Sequence, residues 1–288
     1  MSAEIALVEL AMIALAPFVV GVLFGVDRKL TARMQNRVGP PIVQPLYDLR
    51  KLLAKQPRLM NGGQVAFALA YLVLQMTALA ILVTGGDLLI VFFVSGGGSL
   101  CLVIGAFSAR SPFSHIGAQR ELLQVLAYEP VLFLVIVSIA FQQRSFLAAD
   151  ITSLLLLALP LSLAALFVVL IVKLQKSPYD IASAHTEIIS GPHIEYSGPF
   201  LAIVEFAHWA EVAVIFGIFT LFVYDPNVWI SVAAKIAIVL VALFLALLVD
   251  NAAARLTAGR MVRFVWFVGV LLVAVNLIAL FVAGKVMP

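Results

Sequence analysis

Apolar residues run along this chain in eight long stretches, 4–26, 64–84, 87–107, 122–141, 153–175, 200–224, 228–249 and 262–284. A helix needs about 20 mainly apolar residues to cross the hydrocarbon core of a bilayer, and each stretch approaches or exceeds that length. The breaks between them carry turn and cap residues: Gly62-Gly63, Gly85-Gly86-Asp87, Gln142-Gln143-Arg144, a long polar segment at 176–199, Asp225-Pro226-Asn227, and Asn251 to Arg260. The pattern predicts an all-α polytopic membrane protein, one integral-membrane domain over 1–288 with about eight transmembrane helices. An even number of crossings puts both termini on one face.

Composition sharpens this. With 64% hydrophobic and 11% charged residues and a mean hydropathy of +1.13, a water-soluble domain would have to expose large apolar patches. The opening residues carry Glu4 and Glu9 and lead directly into an apolar segment, so no cleavable leader is expected. The single cysteine, Cys101, lies inside an apolar run and can form neither an internal disulfide nor a thiolate-held cluster. No cofactor is therefore expected in this chain, and any redox metal must belong to a partner. The net charge of +3 and the pI near 9.1 follow from topology rather than from nucleic-acid binding. Fifteen of the eighteen Lys and Arg residues fall after the odd-numbered spans: eight from Arg28 to Arg58, then Arg110 and Arg120, Lys173 and Lys176, and Arg255, Arg260 and Arg263. By the positive-inside rule those loops are cytoplasmic, and both termini lie outside, in a cell inner membrane.

The basic side holds the unusual chemistry. In the loop at 27–62, Ile42, Leu46, Leu49 and Leu53 recur at helical spacing, with Arg50, Lys51, Lys55 and Arg58 elsewhere and Pro45 in a first turn. That predicts an amphipathic helix on the membrane surface, where anionic lipid accounts for the charges. Lipid does not account for the run from Arg33 through Gln35 and Arg37 to Gly39-Pro40-Pro41. Further on, Glu121, Gln124 and Tyr128 share one helix face, and Glu129 continues into an apolar span. An acid there is costly, faces the bundle interior, and is a functional candidate by default. The loop at 176–199 gathers Asp180, His185, Glu187, His193 and Glu195, and the next span adds Glu205, His208 and Glu211 at i, i+3 steps. Such a stripe suits a proton relay, since desolvation and neighbouring charge move carboxyls and imidazoles toward neutral pH. A metal site is the weaker reading, because the spacing matches no compact zinc signature. No Ser, Cys and His arrangement suggests a nucleophilic triad. A stand-alone ion transporter would also need intramembrane acids.

Three runs carry a family resemblance: Ala32-Arg33-Met34-Gln35-Asn36-Arg37-Val38-Gly39-Pro40 with Gln44-Pro45-Leu46; Gly117-Ala118-Gln119-Arg120 with Gln124 and Tyr128-Glu129; and Pro178-Tyr179-Asp180 with Glu187, Gly191 and Glu195-Tyr196-Ser197-Gly198. In these, and in its eight-span layout, the chain resembles the membrane subunit shared by respiratory complex I, where it is subunit 1, and the energy-converting membrane-bound nickel-iron hydrogenases of the Ech type. The resemblance runs from the first span to about residue 211. Two departures favour the hydrogenase branch: Gly39-Pro40-Pro41 runs almost at once into Gln44-Pro45, and Ile181 to Thr186 replaces a glutamate-rich run, leaving only Glu187. Lys176 also stands where an arginine is common.

The resemblance implies a membrane-anchoring, ion-coupling subunit of a ferredoxin-dependent, hydrogen-evolving complex that exports protons or sodium ions. Its implied partners are the hydrogenase small and large subunits, an iron-sulfur ferredoxin-like subunit and an antiporter-like membrane subunit. Iron-sulfur clusters and a nickel-iron centre would sit in those partners, and this chain would hold no catalytic or metal-ligating residue of its own. The ion path would use Glu129, Asp180, Glu187, Glu195, Glu205, His208 and Glu211, and docking would use Arg33, Gln35, Arg37 and Arg120. The alternative within the resemblance is the quinone-site subunit of a complex I-like oxidoreductase.

Overall fold

The computed structural model describes residues 3–58, 61–182 and 185–282; the extreme ends, with Lys285, and the side chain of His185 lie outside the described residues. The described elements are helical, in the order α1 (Ala3–Met34), α2 (Gln44–Leu53), α3 (Gly62–Val83), α4 (Leu88–Ser108), α5 (Pro112–Gln143), α6 (Leu155–Ala158), α7 (Pro160–Lys173), α8 (His185–Ile188), α9 (Pro199–Leu221), α10 (Val228–Ala252) and α11 (Ala258–Val282). Punctuation residues start several of them. Asn61, Asp87 and Asn227 accept hydrogen bonds from the backbone N–H groups of Gly63, Leu89 and Trp229 at 3.1, 2.7 and 3.1 Å, each satisfying a donor that the first helical turn leaves open.

Seven of these helices are long and apolar enough to cross a membrane: α1, α3, α4, α5, α9, α10 and α11. The fifth expected span, 153–175, is different: it is split into α6 and α7. Pro160 lacks an N–H and cannot continue a helix begun before it, so it opens a new one. The 14 residues of α7 rise only about 21 Å, short of a roughly 30 Å core. The segment nonetheless traverses the bundle. At one end the Leu156 N–H donates to the carbonyl of Phe222, just past α9, at 2.9 Å. At the other the Leu256 N–H, in the α10–α11 connection, donates to the Pro178 carbonyl at 2.9 Å. Asn276 of α11 seals the break, accepting from the Leu161 N–H at 2.9 Å and donating to the Ala158 carbonyl at 3.1 Å.

Two expected loops are largely helix. The first span continues past residue 26 to Met34, and α5 begins at Pro112 rather than near residue 122, so both motifs project on rigid rods. The surface helix is α2; Pro45 and Leu49 are its buried residues, while Leu53 faces outward. The chain before it folds onto α1 so closely that a Cβ on Gly25 would lie 1.6 Å from the Ile42 carbonyl oxygen. The third motif closes on the second in the same way, since a Cβ on Gly117 would come within 2.4 Å of the Gly191 carbonyl carbon. Within the bundle, α9 is central and α1 peripheral: 67% of the apolar window of α9 is buried, against 17% for α1. The outward side of α1 presents Leu7, Leu10, Leu15 and Val19, the surface a lipid-facing helix requires.

Candidate functional site

Glu211 lies about three turns into α9, buried among groups from four other helices. Tyr71 of α3 donates its hydroxyl to Glu211 Oε2 at 2.8 Å. Gln75, one turn on, reaches Oε1 at 3.4 Å, and Ser99 of α4 also donates to Oε1. Lys173, the last residue of α7, forms an ion pair with the same oxygen. Its ammonium also donates to the hydroxyls of Ser99, at 3.1 Å, and Tyr128, and sits 4.0 Å from the centroid of the Tyr128 ring. Gln75 is itself held by Ser95, donating to its carbonyl at 2.9 Å and accepting from its hydroxyl at 3.0 Å.

Helical spacing assembles the cluster. Tyr71 and Gln75, Ser95 and Ser99, and His208 and Glu211 are i, i+4 or i, i+3 pairs, so each helix presents two polar groups on one face. Between the two serines, Gly96-Gly97-Gly98 lets α3 approach; a Cβ on Gly98 would meet Gln75 Nε2 at 2.8 Å. An ion pair this deep tolerates burial only when its remaining hydrogen-bonding capacity is filled, as the two tyrosines, two serines and Gln75 do here.

Two cavities meet at the cluster. The smaller has about 10 Å³ for the centre of a water-sized sphere, room for a single water, and its walls include Glu121, Gln124, Tyr128, Lys173 and Glu211. The larger, about 610 Å³ and open to the outside, lies between α1, α2, α9 and the segment after α7. Phe24, Leu49, Leu52 and Trp209 form its apolar side, and Asp27, Asp48, Asp180, Glu205 and Asp250 give it an acidic one. Lys176 spans part of that wall, pairing with Asp27 at 2.6 Å and Asp250 at 3.1 Å. Gln175, His193 and His208 line both cavities and form the partition between them. His208 Nδ1 lies 3.5 Å from Glu211 Oε2. Burial pushes the His193 imidazole below its usual value against the opposing pull of Glu205, and its Nε2 has no hydrogen-bond partner among the described residues.

The expected ion-path residues separate into groups. Glu211, His208, Glu205 and Asp180 line one or both cavities, Asp180 paired with Arg255 at 2.6 Å. Glu187 is half exposed and paired with Arg120 at 2.6 Å, away from both. Glu195 and Glu129 are half-buried and line neither. The Oε1 of Glu129 is enclosed without a hydrogen-bond partner, 2.6 Å from where a Cβ on Gly96 would lie. Of the expected docking residues, Arg33, Gln35 and Arg37 stand exposed at the end of α1, with Gln35 bonded to Asn251 at 3.1 Å and to Arg37. Arg120 is held inward by Glu187 and by the Ile181 carbonyl at 3.2 Å.

The charge pattern assigns Lys173 to a basic loop, whereas the structure makes it the buried cation of the site, so fourteen rather than fifteen basic residues remain on that side. The one warning is its position closing an apolar helix. Tyr71, Gln75, Ser95 and Ser99 carry no such signal, because uncharged polar residues are common in spans. Among the described residues, no three His, Cys, Asp or Glu side chains come together as a metal site.

A family described as NADH dehydrogenase matches residues 7–281. The chain is 28% identical over 306 residues to a membrane component of the NADH-quinone oxidoreductase of Syntrophobacter fumaroxidans, covering 92% of this chain and 91% of that one. It is 30% identical over 200 residues to hydrogenase-4 component C of Escherichia coli, covering 63% of each. Among solved structures, a chain of the membrane-bound sulfane sulfur reductase, an archaeal respiratory membrane complex, superposes with a TM-score of 0.85 at 27% identity, covering 96% of this chain and 99% of that one.

Proposed function

We propose, from the premise that this chain belongs to the NADH dehydrogenase family, that it is the ion-coupling membrane subunit of a hydrogen-evolving nickel-iron hydrogenase complex. The coarser part of that reading is a multi-pass membrane subunit of a multi-subunit respiratory oxidoreductase, the setting common to its relatives. One observation carries the coupling role: a buried ion pair, Lys173–Glu211, reached from an open acidic cavity across a partition of Gln175, His193 and His208. Charge kept this far from water marks ion pathways in membrane proteins, because the cost of holding it there is otherwise unrewarded. The iron-sulfur clusters and nickel-iron centre of the partner subunits would carry the electrons. This chain's residues would hold and pass the ion: Asp180 and Glu205 at the open cavity, His193 and His208 at the partition, Glu211 and Lys173 beyond it.

The hydrogenase branch is favoured by the short path from Gly39-Pro40 to Gln44-Pro45 and by the likeness to hydrogenase-4 component C. The cytoplasmic face would be the one bearing the ends of α1 and α2, with Arg33, Gln35 and Arg37 receiving the soluble arm. A second reading, a quinone oxidoreductase, draws on the 610 Å³ cavity, which falls in the size range of small-molecule sites, and on the nearly full-length likeness to the Syntrophobacter fumaroxidans protein. The test is purification of the intact complex through a tag on this chain. Nickel in the complex and hydrogen evolution from a reduced low-potential donor are expected. A nickel-free complex that reduces a short-chain quinone overturns the hydrogenase reading in favour of the second.

A further inference from the structure

Lys173 faces a second carboxylate. Glu121 of α5 is buried on the wall of the same enclosed cavity, where Gln175 Nε2 makes only a long hydrogen bond to its Oε2, at 3.4 Å. Glu211, by contrast, is surrounded by Tyr71, Gln75, Ser99 and His208 as well as by the ammonium. One cation therefore stands between two buried carboxylates, one richly solvated by side chains and the other poorly, with space for one water between the walls. In so dry a place an excess negative charge is expensive, so one ammonium balances one carboxylate and the other must carry a proton. A lysine ammonium is a compact charge on a flexible four-carbon stem, so it can change partner without moving its helix.

We propose that Lys173 is a tethered switch that neutralises either Glu211 or Glu121, and that a single proton occupies whichever carboxylate the lysine has left. The proposal rests on the coupling role argued above. In the observed state Lys173 pairs with Glu211, and Glu121 holds the proton. The proton then crosses the cavity through a water to a Glu211 oxygen as the ammonium swings to the Glu121 carboxylate; all three ammonium protons stay on Lys173, and the total charge does not change. Glu211 then releases the proton towards Tyr71 and Gln75 on α3. Lys173 returns, and Glu121 is reloaded from the open cavity by way of Gln175 and the histidine partition. The order follows from placement: Glu121 lies nearer the polar start of α5, whereas Glu211 adjoins the polar groups of α3 and α4.

The switch makes a folding prediction independent of transport. Glu211→Gln should leave the chain in the membrane at near the wild-type amount, because Lys173 can turn to Glu121. Glu121→Gln should be tolerated for the mirror reason. The double substitution Glu121→Gln with Glu211→Gln strands the ammonium and should cut the amount of intact chain by about tenfold or more, and adding Lys173→Met should restore it. Failure of the Glu211→Gln single variant to accumulate, or normal accumulation of the double variant, overturns the switch. The transport arm uses the tagged complex in sealed vesicles. Both single variants should lower ion movement per electron transferred by about tenfold or more. If Glu211→Gln stops transport and Glu121→Gln does not, the switch falls and the coupling role stands. If both variants transport at the wild-type ratio, the coupling role falls and the switch with it.

Discussion

His193 offers a pH test at the scale of one residue, outside the membrane-spanning helices. Burial lowers its folded value below the ordinary 6.5, with Glu205 and Glu211 opposing that shift and His208 adding to it. Above about pH 6.5 the imidazole is neutral in both folded and unfolded chains and adds no pH dependence. As pH falls through that value the unfolded chain takes up a proton that the fold resists, so stability falls until the folded value is passed. The melting temperature in detergent should therefore drop between about pH 6.5 and about pH 5, and His193→Gln should flatten the decline. An unchanged slope in the variant would mean that the ring is hydrated. Residue chemistry is legible unevenly along the sequence. Glu205, His208 and Glu211 stand out because charge in an apolar run is rare, and the face shared by Glu121, Gln124 and Tyr128 is indeed the cavity wall. Lys173 is misplaced by the charge pattern because a base at the end of a span reads the same whether it points to water or inward.

At the scale of an element, the α6–α7 break carries the sharpest consequence. Asn276, 3% exposed, satisfies both backbone groups that Pro160 strands, the Ala158 carbonyl and the Leu161 N–H. Asn276→Leu keeps the bulk and removes both bonds, so it should cost about 1 to 3 kcal/mol through unsatisfied buried backbone groups. Thermal unfolding in detergent measures this, and a variant melting with the wild type would show the break to be satisfied some other way. The hydropathy pattern predicts the crossing but not its division, because apolar content is indifferent to where a helix restarts. Proline at 160 is the one local sign, and it is ambiguous, since membrane helices often accommodate proline. The extensions of α1 and α5 beyond their apolar stretches are hidden for the converse reason: a helix outside the bilayer needs no continuous apolar run.

For the whole molecule, two measurements address orientation and assembly. Reporter fusions after Arg58, Arg110, Ser190 and Thr257 should all lie on the cytoplasmic side, and fusions after Gly86, Ser145 and Pro226 on the other. A fusion at Ser145 reporting cytoplasm would overturn the reading of α6–α7 as a full crossing. Reversing Arg33 and Arg37 together to glutamate should lower recovery of soluble partners with the tagged chain by about tenfold, since interface charges with the wrong sign both repel and strand their partners. Undiminished recovery would leave those arginines to lipid. The membrane class, the all-α fold, the cap positions and the acidic face of α9 are all readable in the chain, because each depends on residues within a few turns of one another. The meeting of Tyr71, Ser99, Tyr128, Lys173 and Glu211 is not readable there, nor is the partition shared by two cavities. Those depend on the depth and rotation at which separate helices pack, and a periodicity of 3.6 residues says which face a side chain occupies but not which neighbour that face will meet.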